Sequence, residues 1–423
     1  MSKQTFIRQN YLIKPSNNGI QFFNQDTGNQ RFVWNYFLAK SMERYESEKK
    51  FWFYYDMAKM LPDLKDEFEF LKLGNSQGLQ QTLRQLDTAL KGSFKSTKNK
   101  VKKGFPKFKK KSGTGSVTYP QGVKILDGKL EIPKFKESIK IKNNGMGLPQ
   151  DYNSVTITKS ATGKFHASFV VPFMIPDKVQ INKNSSVVGI DLNSKHIVVL
   201  DDGSAIINPK HLLKKEKRLK KYQKQYSKKQ KGSSNKNKAR IKLARLHEKI
   251  ANARKDFVEK ITLDIVRNND IIVIEDLNVK GMQKWNGRMI QSAPFGLIRS
   301  KLTWKANKLG KHLVVIDRYE PTSKVCSDCG QIHDFGLNTR WLSCDCGLEL
   351  HRDHNAAINI LHAGLRILEE NPDKNFEVGT TFKACEETKF HDSSNGIRWV
   401  SLKQENTRVL VHLLVSVKSD IRK

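Results

Sequence analysis

The sequence predicts a multidomain protein of mixed α/β and α+β class, because three kinds of pattern occupy separate parts of the chain. Apolar residues recur at helical spacing from position 31 to 90, alternate with polar residues from 117 to 173, and form buried strands between helices from 187 to 317. A chain of 423 residues is long enough to form two or three domains, each with its own core.

The N-terminal part contains two patterns. Residues 1 to 30 alternate loosely and carry turn-forming residues at positions 15 to 19 and 26 to 29, so we expect a strand and a connection. From Arg31 to Leu90 apolar residues recur every three or four positions, which predicts helices packed against each other.

A basic segment follows these helices. Lys91 to Lys111 contains ten lysines and no acidic residue, with Phe94, Phe105 and Phe108 between them. Such a run is often only a solvated surface, but lysines with interspersed aromatic rings can bind phosphates and stack on bases. We favour contact with nucleic acid, through Lys102, Lys103, Lys107, Lys109 and Lys110.

The next region predicts β structure. Residues 117 to 173 form short alternating segments separated by Asp-Gly and Thr-Gly turns, which indicates an antiparallel sheet or small barrel. After a polar linker, Val187–Asp191, His196–Leu200 and Ala205–Ile207 predict a three-strand meander with a turn at Asp202-Gly203. Asp191 ends an apolar strand, where a charged residue is unusual.

Residues 210 to 266 predict one or two long helices interrupted near Gly232. The stretch from Lys214 to Lys231 has ten Lys or Arg residues against Glu216 alone, which is more charge than a solvated helix face requires. The basic residues that we expect to contact nucleic acid here are Lys217, Arg218, Lys220, Lys221 and Arg254.

Further strands and helices complete an order typical of RNase H-like nucleases. Asp270 to Asn278 is a strand that ends in Glu275 and Asp276, a helix follows from Ile298 to Gly310, and His312 to Asp317 is another strand. In that fold the first and fourth strands are neighbours, so Asp191 and Glu275 should meet at one edge of the sheet.

Asp353 begins the last predicted helix, His354 to Leu365, and would point to the same edge. Three crowded carboxylates repel each other unless cations neutralise them, and oxygen ligands suit Mg²⁺ or Mn²⁺. Two such ions activate a water and stabilise the leaving 3′ oxygen of a phosphodiester. Each acid has a simpler alternative, because Asp353 could only cap its helix and strand-end acids often cap turns.

Four of the five cysteines form two close pairs, Cys326/Cys329 and Cys344/Cys346. Zinc requires four soft or borderline ligands, and two tight turns of this kind supply them. The second pair is C-x-C rather than C-x-x-C, so His333 or His351 could replace one sulfur. Cys385 lies in a polar tail and has no expected role.

The composition identifies the class of partner. Lys and Arg number 76 against 42 Asp and Glu, a formal net charge of +34, and a polyanion such as nucleic acid neutralises that excess. We see no run of about 18 apolar residues, no signal peptide over residues 1 to 11 and no lipidation motif, so we expect no membrane partner. Metal-binding cysteines indicate a reducing compartment, the cytoplasm or nucleoid of a prokaryote.

Several stretches together resemble the TnpB family, the nucleases encoded by insertion sequences. The catalytic and zinc motifs are GIDLNSK, IVIEDLNVKGM, TSKVCSDCG and CDCGLELHRDHNAAINIL, supported by RFVWNYFLA, GFPKFKKK and HEKIANARKDF. The similarity covers most of residues 1 to 365. In two places the chain departs from the family pattern: the C-x-C pair, and His351 and His354, which stand where the family often has an acid and an aliphatic residue.

The resemblance implies an RNA-guided DNA endonuclease similar to compact type V CRISPR effectors. A guide RNA from the transposon end would select double-stranded DNA beside a short adjacent motif, with one chain per RNA. The implied domains are a wedge barrel (1–30 and 115–180), a helical recognition insert (31–114), a RuvC nuclease domain (181–320 and 347–365) and a zinc knuckle (321–346). Asp191, Glu275 and Asp353 would bind the catalytic Mg²⁺ or Mn²⁺. We expect the tail, 366–423, to be largely disordered, although VLVHLLVSV from Val409 to Val417 does not fit that expectation.

Other functions are compatible with parts of this pattern. A guide-dependent DNA-binding repressor that has lost cleavage would lack one of the three acids, and all three are present. A transposase that uses a tyrosine nucleophile would need a histidine pair beside it, whereas a strand-transferring RNase H-type transposase stays open. An unguided junction resolvase would not need some 180 residues before its catalytic core.

Overall fold

The computed structural model describes residues 4–94, 104–111, 113–142, 145, 147–336, 338–370 and 399–401. These residues divide into two compact units. The first unit contains the described residues up to Met174 together with 240–244, and the second contains the others. The protein is of mixed α/β class, with a half-barrel sheet in the first unit, as the sequence predicts.

The first unit contains three helices that form one apolar core. They are α1 (Asn17–Glu48), α2 (Tyr54–Glu67) and α3 (Ser76–Phe94), with a short 3-10 helix at Glu69–Leu73. Leucines at helical spacing on α3 pack against apolar residues of α1 and α2, including Phe37, Leu38 and Leu61. The predicted helical region is therefore confirmed.

The predicted connection over residues 15 to 30 is wrong, because α1 begins at Asn17. Ser16 caps the helix, with its Oγ accepting a hydrogen bond from the N–H of Gly19 at 3.0 Å. Asp26, which resembles a turn residue in the sequence, is buried and accepts hydrogen bonds from the hydroxyl of Tyr119 and the N–H of Asn75. Its polar side chain thus binds other elements instead of marking a turn.

The sheet of the first unit is entirely antiparallel. Its strands lie in the order β2-β6-β7-β1-β5-β4-β3, and β1 pairs with β7 over ten residues. The N-terminal strand is therefore central in a sheet whose other strands come from residues 115 to 174. The strands are β1 (Gln4–Lys14), β2 (Gly115–Tyr119), β3 (Lys124–Leu126), β4 (Lys129–Glu131), β5 (Ile139–Lys142), β6 (Ser154–Lys159) and β7 (Phe165–Met174).

The second unit has a six-stranded sheet in the order β12-β11-β8-β9-β10-β15. Strands β8, β11 and β12 are parallel, and β9, β10 and β15 are antiparallel to their neighbours. A separate hairpin of β13 and β14 lies among the cysteines. The strands are β8 (Val187–Asp191), β9 (His196–Leu200), β10 (Ser204–Ile207), β11 (Ile271–Glu275), β12 (His312–Ile316), β13 (Trp341–Ser343), β14 (Glu349–His351) and β15 (Trp399–Ser401).

Five helices are described after residue 210, all in the second unit except residues 240–244 of α5. They are α4 (His211–Ser227), α5 (Ser234–Asn268), α6 (Val279–Ser292), α7 (Phe295–Lys308) and α8 (Arg352–Glu369). The predicted interruption near Gly232 separates α4 from α5. The sequence does not predict α6. The predicted helix from His354 to Leu365 begins two residues after the start of α8, because Asp353 resembles its cap, and it ends four residues before the end of α8.

Helices cover both faces of the six-stranded sheet. On one face Val188, Ile190 and Ile274 pack with residues of α5 and α7, and on the other Val187 and Val273 pack with α8. Both faces are buried, which explains the uninterrupted apolar runs of β8 and β11. This arrangement fixes the start of α8 near the ends of these two strands.

Gly189 lets α8 approach the sheet closely. A Cβ atom on this residue would collide with the carbonyl oxygen of Ala357 and with Leu361, both on α8. The glycine of the GIDLN segment is therefore required by packing beneath the helix that carries Asp353.

The C-terminal tail differs from its prediction where the structure describes it. Residues 366–369 complete α8, and Trp399–Ser401 pair with β10. Cys385, the apolar stretch 409–417 and the rest of the tail lie outside the described residues. Across the part of the chain that is described, no helix has both the length and the apolar character to cross a bilayer.

Candidate active site

Asp191 and Glu275 end two neighbouring parallel strands. Ile190 of β8 is paired with Ile274 of β11, and each acid is the next residue along its strand. Both side chains are half-buried at this edge of the sheet. The structure thus brings these two predicted acids to neighbouring positions.

Asp353 lies in the first turn of α8 and is buried. The helix is capped by His351, whose Nδ1 accepts a hydrogen bond from the N–H of Asp353 at 3.2 Å. The alternative that Asp353 serves only as the N-cap is therefore wrong, and its carboxylate is available for another role.

The electrostatic environment of Asp191 includes both other acids. Burial raises the pKa of Asp191 to about 7, and the negative charges of Asp353 and Glu275 contribute to the increase. A hydrogen bond from Asn193, at 3.2 Å, opposes it. Such a shift of an acid beside like charges is typical of functional sites.

The other two acids are affected differently. Burial raises the pKa of Glu275, and the adjacent Asp276 adds to this effect. Burial also favours the neutral form of Asp353, but His196 and His351 outweigh it, so the pKa of Asp353 lies below its ordinary value. Asp353 is therefore ionised at neutral pH, whereas Asp191 is partly protonated.

The spacing of the acids limits how they could hold cations. The ligand oxygens of these three described residues do not form a group in which all lie within 4.8 Å of one another. Two ligands of one ion, each about 2.1 Å from it, lie at most about 4.2 Å apart. As they stand, the three side chains are thus too far apart for all three to bind one ion directly.

The four predicted cysteines form one cluster. Their sulfur atoms all lie within 4.8 Å of one another, with Cys326 and Cys346 separated by 3.7 Å and Cys329 and Cys344 by 3.5 Å. A disulfide would require about 2.05 Å. A zinc ion with sulfurs at about 2.3 Å has neighbouring sulfurs about 3.8 Å apart, so these distances fit a tetrahedral site. Neither His333 nor His351 belongs to this group.

Two asparagines that the sequence analysis missed connect the cysteine cluster to α8. Asn355 is fully buried, donates a hydrogen bond to the carbonyl of Val325 at 2.7 Å and accepts one from the N–H of Ser327. Asn359, one helical turn later, donates to the carbonyls of Thr322 and Val325. The first cysteine turn is therefore fixed to the turn that carries Asp353. Two amides four residues apart in the last helix were the available sequence signal.

The sequence places His351 two residues before Asp353, but it does not identify His196 as a neighbour of this acid. Both histidines are buried, and with Asp353 they form a second group whose ligand atoms lie within 4.8 Å of one another. His196 is 157 positions from Asp353 in the sequence, so no local spacing could have identified it.

Asp276 holds the segment after β11 in place. Its carboxylate forms ion pairs with Arg299 of α7 and with Arg318, which follows β12. Its pKa is lowered by the hydrogen bonds from these arginines. Asp276 thus has a neutralising partner on each side, in contrast to Glu275.

Of the predicted nucleic-acid contacts in the first basic segment, Lys102 and Lys103 lie outside the described residues. Lys107 and Lys110 are exposed. Lys109 is exposed as well, but its amino group lies 3.7 Å from the ring centre of Trp34, and its backbone exchanges hydrogen bonds with Asn35. Its side chain therefore contributes to docking this segment on α1.

The predicted contact residues of α4 and α5 differ in exposure. Helix α4 has no buried residue, and Lys217, Arg218, Lys220 and Lys221 are exposed. Arg254 of α5 differs, because it is half-buried and its guanidinium donates to the carbonyl of Ser292 at 3.5 Å. Burial lowers the pKa of Arg254.

Three family models match the chain. One described as "Probable transposase" matches residues 170–286, one described as "Cas12f1-like, TNB domain" matches residues 295–360, and one described as "Helix-turn-helix domain" matches residues 7–50. In the structure residues 7–50 belong to β1 and the single long helix α1.

Relatives of similar length are known. A "Putative RNA-guided DNA endonuclease" of Streptomyces pristinaespiralis is 34% identical over 365 residues, covering 84% of this chain and 88% of the relative. The "Putative RNA-guided DNA endonuclease InsQ" of Escherichia coli K12 is 32% identical over 364 residues, covering 80% and 87%. A solved Cas12f1–sgRNA–target DNA complex is 15% identical, with a TM-score of 0.49 over 82% of this chain and 83% of that one.

Proposed function

Because the chain belongs to the TnpB family, we propose that it is an RNA-guided DNA endonuclease. Its reaction is metal-dependent hydrolysis of phosphodiester bonds at the site formed by Asp191, Glu275 and Asp353. The observation that carries this proposal is the placement of the acids: Asp191 and Glu275 end two neighbouring parallel strands, and Asp353 lies at the start of the helix packed against them. The names of the two long relatives support the same activity.

The sheet order supports an RNase H-like core of the RuvC type. Counting from β8, the strands lie in the order fifth, fourth, first, second and third, so the first and fourth are neighbours. This neighbourhood brings together two acids that are 84 positions apart in the sequence. The last helix of the unit supplies the third.

The donor set of the site fits hard divalent cations. Asp191, Glu275 and Asp353 would hold Mg²⁺ or Mn²⁺ through carboxylate oxygens. Bound ions of this kind lower the pKa of a water and stabilise the leaving 3′ oxygen. The protein would hold the three acids in fixed positions. Strands β8 and β11 fix Asp191 and Glu275, and a hydrogen bond from Asn193 orients Asp191. The capped start of α8 fixes Asp353.

We propose that Cys326, Cys329, Cys344 and Cys346 bind zinc and that the ion is structural. All four positions of a tetrahedral zinc would be filled by sulfur, which leaves none for water or substrate. The hydrogen bonds of Asn355 link this cluster to α8. The ion would therefore stabilise the local fold that holds Asp353.

The remaining parts of the chain would bind nucleic acid. We assign the sheet of the first unit to the wedge domain, its helices to the recognition domain, and the exposed basic helix α4 to phosphate contact. The partners are a guide RNA from the transposon end and double-stranded target DNA, with one chain per RNA. The net charge of +34 supports binding of both polyanions.

The test is cleavage by the protein purified with its RNA. Sequencing the copurified RNA identifies the guide, and incubation with a plasmid library carrying the matching target beside randomised positions identifies the adjacent motif. We expect Mg²⁺-dependent cleavage that is lost after prior RNase treatment or chelation of divalent ions.

Different products would contradict the proposal. Cleavage that survives RNase treatment would indicate an unguided nuclease, and joined DNA strands would indicate a transposase. Guide-dependent binding without any cleavage would indicate a repressor.

A further inference from the structure

Two buried imidazoles lie beside Asp353. His196 begins β9 and is 7% exposed, and His351 ends β14 and is 6% exposed. Their Nδ1 atoms lie 3.7 and 3.8 Å, respectively, from Oδ2 of Asp353. All three ligand atoms lie within 4.8 Å of one another.

A direct contact explains the position of His351, whose Nδ1 accepts the capping hydrogen bond of α8, but none explains that of His196. Both distances exceed that of a hydrogen bond, and a protonated imidazole would approach a carboxylate to about 2.7–2.9 Å. Nδ1 of His196 is buried and has no hydrogen-bond partner among the described residues. A buried polar atom without a partner requires an explanation, and an ion or water is among the few available.

The spacing approaches that of ligands around one ion. Imidazole nitrogens and carboxylate oxygens lie about 2.0–2.2 Å from a transition ion, so neighbouring ligands are about 3.0–3.4 Å apart. The observed distances exceed this by about half an ångström, which small side-chain rotations would close. Packing already orients the rings, since the centre of the His351 ring lies 5.6 Å from that of Trp341 and 5.9 Å from that of His196.

We propose that His196, His351 and Asp353 form a binding site for a divalent first-row transition ion. The ligands are two imidazole nitrogens and one carboxylate oxygen, a donor set that suits transition ions better than Mg²⁺. This inference rests on the proposed function only in that Asp353 is shared with the catalytic carboxylates. The nuclease would then have one ion position with nitrogen ligands in addition to its oxygen ligands.

Coordination by His351 has a local cost. Nδ1 of His351 accepts the capping hydrogen bond from the N–H of Asp353 at a long 3.2 Å. An ion on this nitrogen would replace that bond and leave a buried N–H without its partner, so ion binding must outweigh this loss.

The test uses Mn²⁺ and pulsed electron paramagnetic resonance on the full chain freed of nucleic acid. Mn²⁺ is the weakest binder of its series and leaves zinc on the cysteines. We expect modulation from ¹⁴N nuclei, which only the histidine ligands supply. His196→Gln and His351→Asn should each reduce this modulation and weaken Mn²⁺ binding at least about tenfold.

The choice of variants separates loss of an ion ligand from loss of the fold. Asparagine is a good N-cap, so His351→Asn should preserve α8. His247→Ala, an exposed position on α5, should leave the modulation and the affinity unchanged. Zinc content and thermal unfolding equal to those of the wild type would show that each variant is folded.

Two results would overturn the inference: absence of ¹⁴N modulation in the wild type, or modulation that is unchanged in both histidine variants. Neither result affects the nuclease proposal, which is tested by the Mg²⁺-dependent cleavage of wild type against Asp191→Ala. Conversely, ¹⁴N modulation in a chain that never cleaves would support the histidine site and overturn the nuclease proposal.

Discussion

Asp191 and Glu275 are the last residues of two parallel strands that lie side by side in the six-stranded sheet. Because parallel strands end at the same edge, the two carboxylates leave the sheet together. Asp353 approaches the same edge of the sheet, because it lies at the start of α8, the helix that packs against one face of the sheet. Five predictions follow from this site and the elements that hold it.

Replacing Asp191 or Glu275 by alanine should abolish cleavage, with a loss of at least about 10³-fold, because the ions lose a ligand. Guide and target binding should be nearly unchanged, since we propose that the main phosphate contacts lie elsewhere, on α4 among other elements. Plasmid cleavage and a filter-binding assay measure the two effects. Asp256→Asn, which removes an exposed helical ion pair with Lys260, is the matched control and should cleave normally. Parallel loss of binding and cleavage would instead assign the acids a structural role.

Binding of Mg²⁺ should strengthen as the pH rises through about 7. The raised pKa of Asp191 means that it holds a proton at lower pH, and the ion must displace that proton. At pH 7 binding should release about half a proton per chain, and almost none at pH 9. Calorimetric titrations in two buffers with different ionisation enthalpies measure this number. Release that does not change with pH would show that Asp191 is ionised before the ion binds.

Replacing Cys326 and Cys329 together by serine should lower zinc content and the unfolding temperature in step. The ion contributes folding free energy, and serine is a poor ligand for zinc. Metal analysis and a thermal melt measure the two quantities. Cys385→Ser is the control and should retain full zinc content. A wild type without zinc would refute the assignment directly.

Replacing Lys217, Arg218, Lys220 and Lys221 by glutamine should weaken RNA binding without unfolding the protein, because α4 has no buried residue. Each lost phosphate contact should reduce the slope of log affinity against log salt by about 0.7–0.9. Fluorescence titrations at several salt concentrations measure this slope. Replacing Arg254 alone should have less effect on it, since that side chain is half-buried against Ser292. An unchanged slope in the fourfold variant would exclude α4 from the interface.

Gly189→Ala should destabilise the second unit by on the order of 1–3 kcal/mol, because the added methyl group collides with the backbone of α8. A thermal melt should show a lower unfolding temperature together with weaker cleavage. Gly296→Ala is the matched control, because nothing lies within 4 Å of the Cβ position in α7. That change should be neutral or stabilise the helix by about 0.5–1 kcal/mol. Equal melts for both variants would contradict the close packing of α8 on β8.

The sequence pattern was sufficient to predict the helices and strands in which apolar residues recur regularly. Apolar runs predicted β8, β11 and β12, and leucines at helical spacing predicted α3, because burial on one or both faces leaves a repeat in the sequence. The pattern did not predict the first half of α1, because Asp26 and Asn29 resemble turn residues. Both side chains are buried and form hydrogen bonds, Asp26 with Tyr119 and Asn29 with the carbonyl of Phe70, and these partners are distant in sequence.

The sequence by itself determined the identities and order of the three acids and the four cysteines, since residue type and spacing are local properties. Only the tertiary structure decided that His351 rather than Asp353 caps α8, that Asn355 joins the cysteine turn to this helix, and that His196 lies beside Asp353. These relationships depend on contacts between segments up to 157 positions apart. Packing of α8 against the sheet creates them, and no periodicity in the chain encodes a distance of that kind.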